Sequence, residues 1–300
     1  MPTLSLDWMQ HPPPEYLGGA LAVGNFDGVH RGHLELIAAA KRLGHPAIAV
    51  TFDPPPVALL HPPSIKPPLT TNEDRAARLH EAGADAVVML RTNAGLLSLS
   101  PEAFFEDVIR HVFEAKAMAE GYNFRFGRKR AGDVETLRAL CLQHAVALEV
   151  VPPVLDGGEP ISSSRIRTAL ANGDVTGAAR WLGRPYSLTG TVETGAKRGR
   201  TIGCPTANLG GIRTLIPKHG VYAGRVGEHL AAVNVGPNPT FGEFAQKVEV
   251  HLLDFTGDLY GKELRLEFVR RLRDTRPFAG ATELIEQLKR DVEAVRLALA

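Results

Sequence analysis

Gly19-Ala20-Leu21-Ala22-Val23-Gly24 runs straight into Asn25-Phe26-Asp27-Gly28-Val29-His30-Arg31-Gly32-His33, and this junction decides the fold of the first half of the chain. Residues 19–24 are an apolar run of strand length. From His33 to Leu43, leucine, isoleucine and alanine recur at helical spacing. A glycine-rich loop therefore leaves a buried strand and opens a helix. A helix start presents unpaired N–H groups and a partial positive charge, which suits a phosphate. Gly24, Gly28 and Gly32 let the backbone come close to a ligand, with Asn25, Phe26 and Asp27 between them. His30 and His33, three residues apart, share a face of the first turn. Two imidazoles there are able to donate hydrogen bonds to charge that develops on a phosphorus centre under attack. A metal is the competing use of His-x-x-His, but no third histidine or cysteine stands at zinc-like spacing. No GxxxxGK[ST] P-loop occurs anywhere in the chain.

Outward from this junction the alternation continues. Ala47–Thr51, Ala86–Leu90 and Leu148–Val151 read as strands. Thr71–Ala82, capped by Thr71 or Asn72, reads as a helix, as do Pro101–Phe113 and Val134–His144. Strands separated by helices imply βαβ units and a mostly parallel sheet. A helical stretch over Ser162–Leu182 ends at Gly183-Arg184-Pro185, and the character then changes. Short β-type runs broken by glycine follow at Leu188–Thr194, Val221–Val226, Leu230–Val235, Val248–Phe255 and Leu264–Val269. Close spacing with few helices predicts an antiparallel barrel or sandwich. Ala281–Leu297 closes the chain as an amphipathic helix. The boundary falls near Tyr186, giving a domain over 1–185 and a second over 186–300.

Composition narrows the function classes. Three hundred residues suit two domains, and 34 basic against 33 acidic residues leave a net charge of +1. That balance argues against a chain devoted to wrapping nucleic acid or coating an anionic membrane. No apolar run approaches the ~18 residues of a membrane span. Residues Met1 to Gln10 carry no basic region ahead of an apolar stretch, so no signal peptide is expected. Cys141 and Cys204 stand outside any CxxC pattern, which leaves no basis for a disulfide framework or a cysteine-based zinc site. The expectation is a reduced, cytoplasmic, soluble protein.

Three further segments carry chemistry. Ser162-Ser163-Ser164, followed by Arg165 and Arg167, place hydroxyls and guanidiniums at a helix start. A serine run before a helix also serves simply as a cap. Arg125, Arg128, Lys129 and Arg130 form a basic loop within Gly121-Tyr122-Asn123-Phe124-Arg125-Phe126-Gly127 and just after it, and a solvated charged loop is the commoner reason for such a run. In the second half, Gly195, Gly199 and Gly203, with Lys197 and Arg200, make a flexible cationic flap suited to polyphosphate. It leads into Cys204-Pro205-Thr206-Ala207-Asn208. Glu249 lies in the alternating run Val248-Glu249-Val250-His251-Leu252, on the face opposite the valines.

These motifs together resemble the bifunctional bacterial riboflavin kinase/FAD synthetase family, from about Gly19 to the C-terminal helix. GNFDGVHRGH, GYNFRFG and ISSSRIR match its HxGH-type nucleotidyltransferase half; GRTIGCPTANL, NVGPNPTFG and VEVHLLD match its kinase half. The resemblance implies a Rossmann-like α/β domain followed by an antiparallel β-barrel kinase domain. It implies phosphorylation of riboflavin by ATP to FMN, then adenylylation of FMN by a second ATP to FAD. In that reading Ser162–Arg167 lie against the ATP phosphates, with Arg167 beside His30 and His33 in catalysis, and Asn123 faces nucleotide or flavin. Thr206 and Asn208 supply oxygen to Mg²⁺ and ATP, Glu249 is the general base for the riboflavin 5′-hydroxyl, and Arg273 lies near the flavin phosphate. The partners implied are these small molecules, with no nucleic acid and no membrane, and a monomer or weak self-association. Two alternatives are weighed against it: a kinase with an inactive first domain, disfavoured by the intact His30, His33 and Arg167, and a flavin- or RNA-sensing binder using the 125–130 loop, disfavoured by the net charge and the lack of interleaved aromatics there. The chain departs from the family pattern at Cys204, in the proline run 54–56, and at Glu120, where an apolar residue is usual.

Overall fold

Continuous apolar strands need cover on both faces, and the first half supplies it with helices. The computed structural model describes residues 2–62, 66–194, 205–238 and 243–300. The chain forms two compact units: Met1–Lys66 with Thr70–Ser162, and Pro67–Leu69 with Ser163–Ala300.

The first unit is built on a six-stranded, all-parallel sheet. Its strands are β1 (Thr3–Leu6), β2 (Ala20–Val23), β3 (Ala47–Asp53), β4 (Ala86–Arg91), β5 (Ala117–Gly121) and β6 (Ala147–Val151), in the order β1-β4-β3-β2-β5-β6. All four residues of β2 are buried, as the apolar run predicts. Two apolar clusters cover the sheet. One gathers Leu21, Val23, Met118, Phe105, Leu137 and Cys141, the other Ala20, Ala22, Phe26, Val29, Ile37 and Leu79. Helix Asn72–Glu81 starts where its sequence says it should: Thr71 Oγ1 accepts the Asp74 N–H at 3.1 Å, with Glu73 and Asp74 complementing the dipole. The Pro101–Phe113 region differs from a plain α-helix. Only Pro101–Ala103 is α-helical, and Phe104–Val112 winds as a π-helix. The wider turn brings Phe104, Phe105, Val108, Ile109 and Val112 all into the core. A short antiparallel pair, β7 (Leu155–Asp156) and β8 (Glu159–Pro160), follows the sheet.

The second unit opens with two helices where the sequence suggests one stretch, Ser163–Asn172 and Val175–Leu182. The break falls at Gly173, which holds a left-handed φ of 83°. A Cβ there would sit 2.6 Å from the Arg271 side chain. Six strands then close a barrel: β9 (Tyr186–Glu193), β10 (Ala207–Gly210), β11 (Gly220–Val226), β12 (His229–Asn238), β13 (Glu243–Leu252) and β14 (Glu263–Arg273), joined in the order β9-β10-β13-β12-β11-β14 and back to β9. Tyr222, Val233, Val250 and Ala207 pair across β11, β12, β13 and β10 and are buried, so this row faces inward. Tyr222 meets Phe268 edge-on at 5.3 Å inside. Helix Ala281–Leu299 packs Val295 against Ala223 and Leu253 on the outside of the barrel.

Candidate active sites in the two units

Strand order places the first site. From β2 the chain goes to β3 and β4 on one side and later to β5 on the other, so the order reverses between β2 and β5. In open parallel sheets ligands bind in the crevice beyond the strand ends at such a switch point. The loop 24–30 leaves the end of β2, and the Gly121–Gly127 segment leaves the end of β5. Two of the sequence motifs therefore flank one crevice.

The loop is held from beneath. Asp27 Oδ1 accepts the Thr70 N–H (3.3 Å) and hydroxyl (3.4 Å), and Thr70 Oγ1 accepts the Gly28 N–H at 3.2 Å. Arg75, only 3% exposed, donates through Nη1 to Thr51 Oγ1 at 3.3 Å, and that hydroxyl donates to the Asn25 carbonyl at 3.2 Å. Phe26 and Val29 take positive φ, 47° and 43°, and both are buried. A β-branched residue in that region stores on the order of 1–3 kcal/mol, which the surrounding packing must hold. The side chains of Phe26 and Asp27 face the protein, whereas Asn25 is exposed.

His30 is the N-cap of helix Arg31–Leu43. Its ring stacks on that of His33 with centroids 3.6 Å apart, and the His33 ring meets Phe26 edge-on at 5.2 Å. The His30 N–H donates to His33 Nδ1 at 3.3 Å, which fixes Nε2 as the protonated nitrogen of neutral His33. Gly32 leaves room for this stack: a Cβ there would lie 3.2 Å from His30 Cε1, a tight contact with the ring. Across the crevice Asn123 is exposed, Arg125 pairs with Asp133 at 3.1 Å, and Arg128–Arg130 form a single 3₁₀ turn. Ser162 ends the first unit, while Ser163 opens helix Ser163–Asn172 of the second, whose Arg165 lies over the Trp181 ring at 4.2 Å. Arg167 lies on the same helix.

In the barrel, register makes the second site. Asn208 pairs directly with Glu249 on one side and Glu193 on the other, and Glu249 pairs with Asn234. Directly opposed residues share a face with Cβ atoms about 4.5–5.5 Å apart. Glu193, Asn208, Glu249 and Asn234 thus form one row on the outer face, next to the inward row through Val250. Sequence reading placed Asn208 and Glu249 in one site but could not see Glu193 and Asn234 beside them, because register is a pairing property. Thr206 precedes β10 and is exposed. His251 Nδ1 lies 2.8 Å from the Pro205 carbonyl, and so donates to it and anchors this turn. Thr206, Asn208 and Glu249 are hard oxygen donors of the kind Mg²⁺ takes. Among the described residues no group of three or more His, Cys, Asp or Glu gathers into a protein-only metal cage. Gly195, Lys197, Gly199, Arg200, Gly203 and Cys204 lie outside the described residues.

Arg273 is held by an acidic residue of the C-terminal helix. Its Nε and Nη2 donate to the two carboxylate oxygens of buried Asp291 at 2.8 and 2.6 Å, and Nη1 donates to the Asp274 carbonyl at 2.9 Å. This bidentate clamp ties helix Ala281–Leu299 to β14.

Comparison with known proteins matches both halves: residues 14–165 fit the FAD synthetase family model, and residues 182–299 the riboflavin kinase model. The chain belongs to the bifunctional riboflavin kinase/FAD synthetase family. It is 35% identical over 283 residues to the bifunctional riboflavin kinase/FMN adenylyltransferase of Escherichia coli K12, covering 91% of this chain and 90% of that protein. It is 36% identical over 296 residues to the Bacillus subtilis enzyme of the same description, covering 94% and 93%. A solved structure described as a macrolide-efflux protein from Streptococcus pneumoniae superposes with a TM-score of 0.87 at 31% identity, covering 98% of each chain. Among the described residues of this family member, no helix is long and apolar enough to cross a membrane. The parallel-sheet unit, the six-stranded barrel and the terminal helix are those the sequence motifs imply.

Proposed function

We propose that the second unit transfers the γ-phosphoryl group of ATP to riboflavin, giving FMN, and that the first transfers AMP from a second ATP to FMN, giving FAD and pyrophosphate. The observation that carries this reading is the in-register pair Asn208–Glu249, which sets a carboxylate beside an amide on the outer face of the barrel. A primary hydroxyl is a poor nucleophile at neutral pH, so the kinase step needs a group to take its proton, and Glu249 does so. Thr206 and Asn208 would hold Mg²⁺, which would supply charge neutralisation on the transferring phosphate. Gly195, Lys197, Gly199, Arg200 and Gly203 are assigned to the polyphosphate by resemblance. By resemblance Arg273 serves the flavin phosphate, and its clamp to Asp291 orients it there.

The adenylyl step asks for something else. A phosphate monoester, with a second pKa near ~6, is already anionic and needs no base. His30 and His33 donate hydrogen bonds to the charge that grows on the α-phosphate. Gly24, Asn25, Phe26, Asp27, Gly28 and Gly32 supply the backbone cradle. By resemblance Ser162, Ser163, Ser164, Arg165 and Arg167 serve the ATP phosphates and Asn123 the flavin. The functional boundary falls at residues 185/186, and the enzyme works in the cytoplasm as a monomer or weak self-associate on small molecules, without nucleic acid. The test is direct. Purified protein with riboflavin and MgATP should yield FMN and then FAD on chromatography, and accumulation that stops at FMN would leave only the kinase.

A further inference from the structure

For a crevice to open at the switch point of a parallel sheet, two neighbouring strands must part and stop exchanging backbone hydrogen bonds. β2 and β5 part after Leu21 and Met118. Beyond that point β2 still pairs with β3 as far as Val23 and Val50, and β5 with β6 as far as Gly121 and Val151. Each strand therefore keeps one satisfied edge and turns the other to the gap. Buried groups on that edge need substitute partners, because an unmet buried N–H costs the full desolvation of the group. Val23 is buried, and its N–H finds one: it donates to Glu120 Oε1 at 2.8 Å. The next N–H, that of Gly24, donates the opposite way, to the Val50 carbonyl at 3.0 Å. The Glu120 side chain thus stands where a β5 carbonyl would stand in an unbroken ladder.

Glu120 is 1% exposed and follows Met118 by two residues, so it points to the side of the sheet where Met118 packs with Leu21, Val23 and Cys141. A carboxyl group is costly there, and filling space alone would call for an apolar side chain. Burial pushes its pKa well above the usual carboxyl range, partly offset by the Val23 N–H, so the core favours the uncharged acid. The titratable group that faces it is the Cys141 thiol of helix Val134–Gln143, raised to about 11 by burial first and by Glu120 second.

We propose that Glu120 is a positioning residue for adenylyl transfer: it holds the last N–H of β2 across the gap, and so fixes the spacing between the two strand ends from which the GNFDGVHRGH loop and the GYNFRFG segment emerge. The role rests on the placement of ATP and FMN at this crevice. It acts through strand β2 and touches neither substrate.

The test compares Glu120→Gln, Glu120→Leu and Glu120→Asp for FAD formation from supplied FMN with ATP varied, alongside FMN formation, the melting temperature and amide exchange at Val23. Gln keeps an acceptor oxygen at the same reach and should stay within about twofold of wild type in kcat and KM. Leu offers no acceptor, so KM for ATP should rise by about tenfold, kcat should fall less, and Val23 should lose exchange protection. FMN formation should not change. A lower melting temperature with unchanged KM would mark a purely structural group and overturn the proposal, as would a Gln variant as impaired as Leu. If Glu120→Leu does not fold, Glu120→Asp decides: its carboxyl falls one methylene short of Val23, so it must raise KM for the proposal to stand. His30→Ala, run beside these, separates the two layers. Its loss of FAD synthesis with none in Glu120→Leu overturns the Glu120 role alone, and wild-type FAD synthesis in His30→Ala overturns the site on which the role rests.

Discussion

Replacing Glu120 by Gln should change how the stability of the protein depends on pH, independently of any catalytic effect. In the folded chain burial raises the carboxyl pKa well above 4.5, its ordinary value and that of the unfolded chain. The folded state therefore binds the proton more tightly than the unfolded one. The stability this contributes is fully present below about pH 4.5 and is lost as pH rises towards the folded value. Within that window each pH unit removes about 1.4 kcal/mol for the one proton involved. Gln has no proton to lose and keeps the acceptor for Val23. Its stability relative to wild type should therefore climb by that slope, roughly 3–6 °C in Tm per pH unit for a unit of this size. Asp85 runs the other way: its burial is outweighed by the Ala47 N–H and the His45 ring, and it favours folding as pH rises. That contribution is common to both proteins and cancels in the difference. Cys141, pushed up to about 11, ionises far above the window. The assay is thermal unfolding by circular dichroism at pH 5, 6, 7 and 8 on both proteins. Parallel profiles would show that Glu120 titrates like a solvated carboxylate and would refute the reasoning.

Three further outcomes are expected. His30→Ala should cost FAD synthesis roughly 2–4 kcal/mol of transition-state stabilisation, the usual loss for one oxyanion-type donor, while steady-state FMN formation is unchanged. Glu249→Gln keeps the size of the side chain between Asn208 and Asn234, so Tm should hold while kcat for FMN formation falls by about 10²- to 10⁴-fold with little change in KM; normal turnover would remove the base assignment. A fragment 163–300 should fold and phosphorylate riboflavin, because it keeps helix Val175–Leu182 with Val175, Ala178 and Trp181 buried; a fragment 186–300 should have the lower Tm, and equal Tm values would show that the helix adds nothing to the barrel.

Much of the first unit is legible in the sequence. β2 and the leading residues of β3 and β4 are apolar runs buried on both faces, and β6 shows as the shorter run Leu148–Val151 although it carries Glu149. β1 and β5 were not read. Thr3–Leu6 alternates polar with apolar residues over only four positions, and Ala117–Gly121 carries a glutamate inside a strand. That glutamate was visible in the sequence as a departure from the family. Its reason was not, since the partner is a backbone N–H 97 residues away.

What the sequence by itself determined is what local chemistry carries: the period of each segment, the glycines and caps at its ends, and the motifs that mark two nucleotide-using sites. The tertiary structure alone decided which of those segments lie side by side. The parting of β2 from β5, the Arg75–Thr51–Asn25 chain beneath the loop, and the row Glu193–Asn208–Glu249–Asn234 all depend on register and strand order. It also gave Arg273 to Asp291, a pairing across 18 positions that no motif announces. Register has this effect because a shift of one residue turns every side chain of a strand to the other face, so only the pairing of whole strands fixes which groups meet.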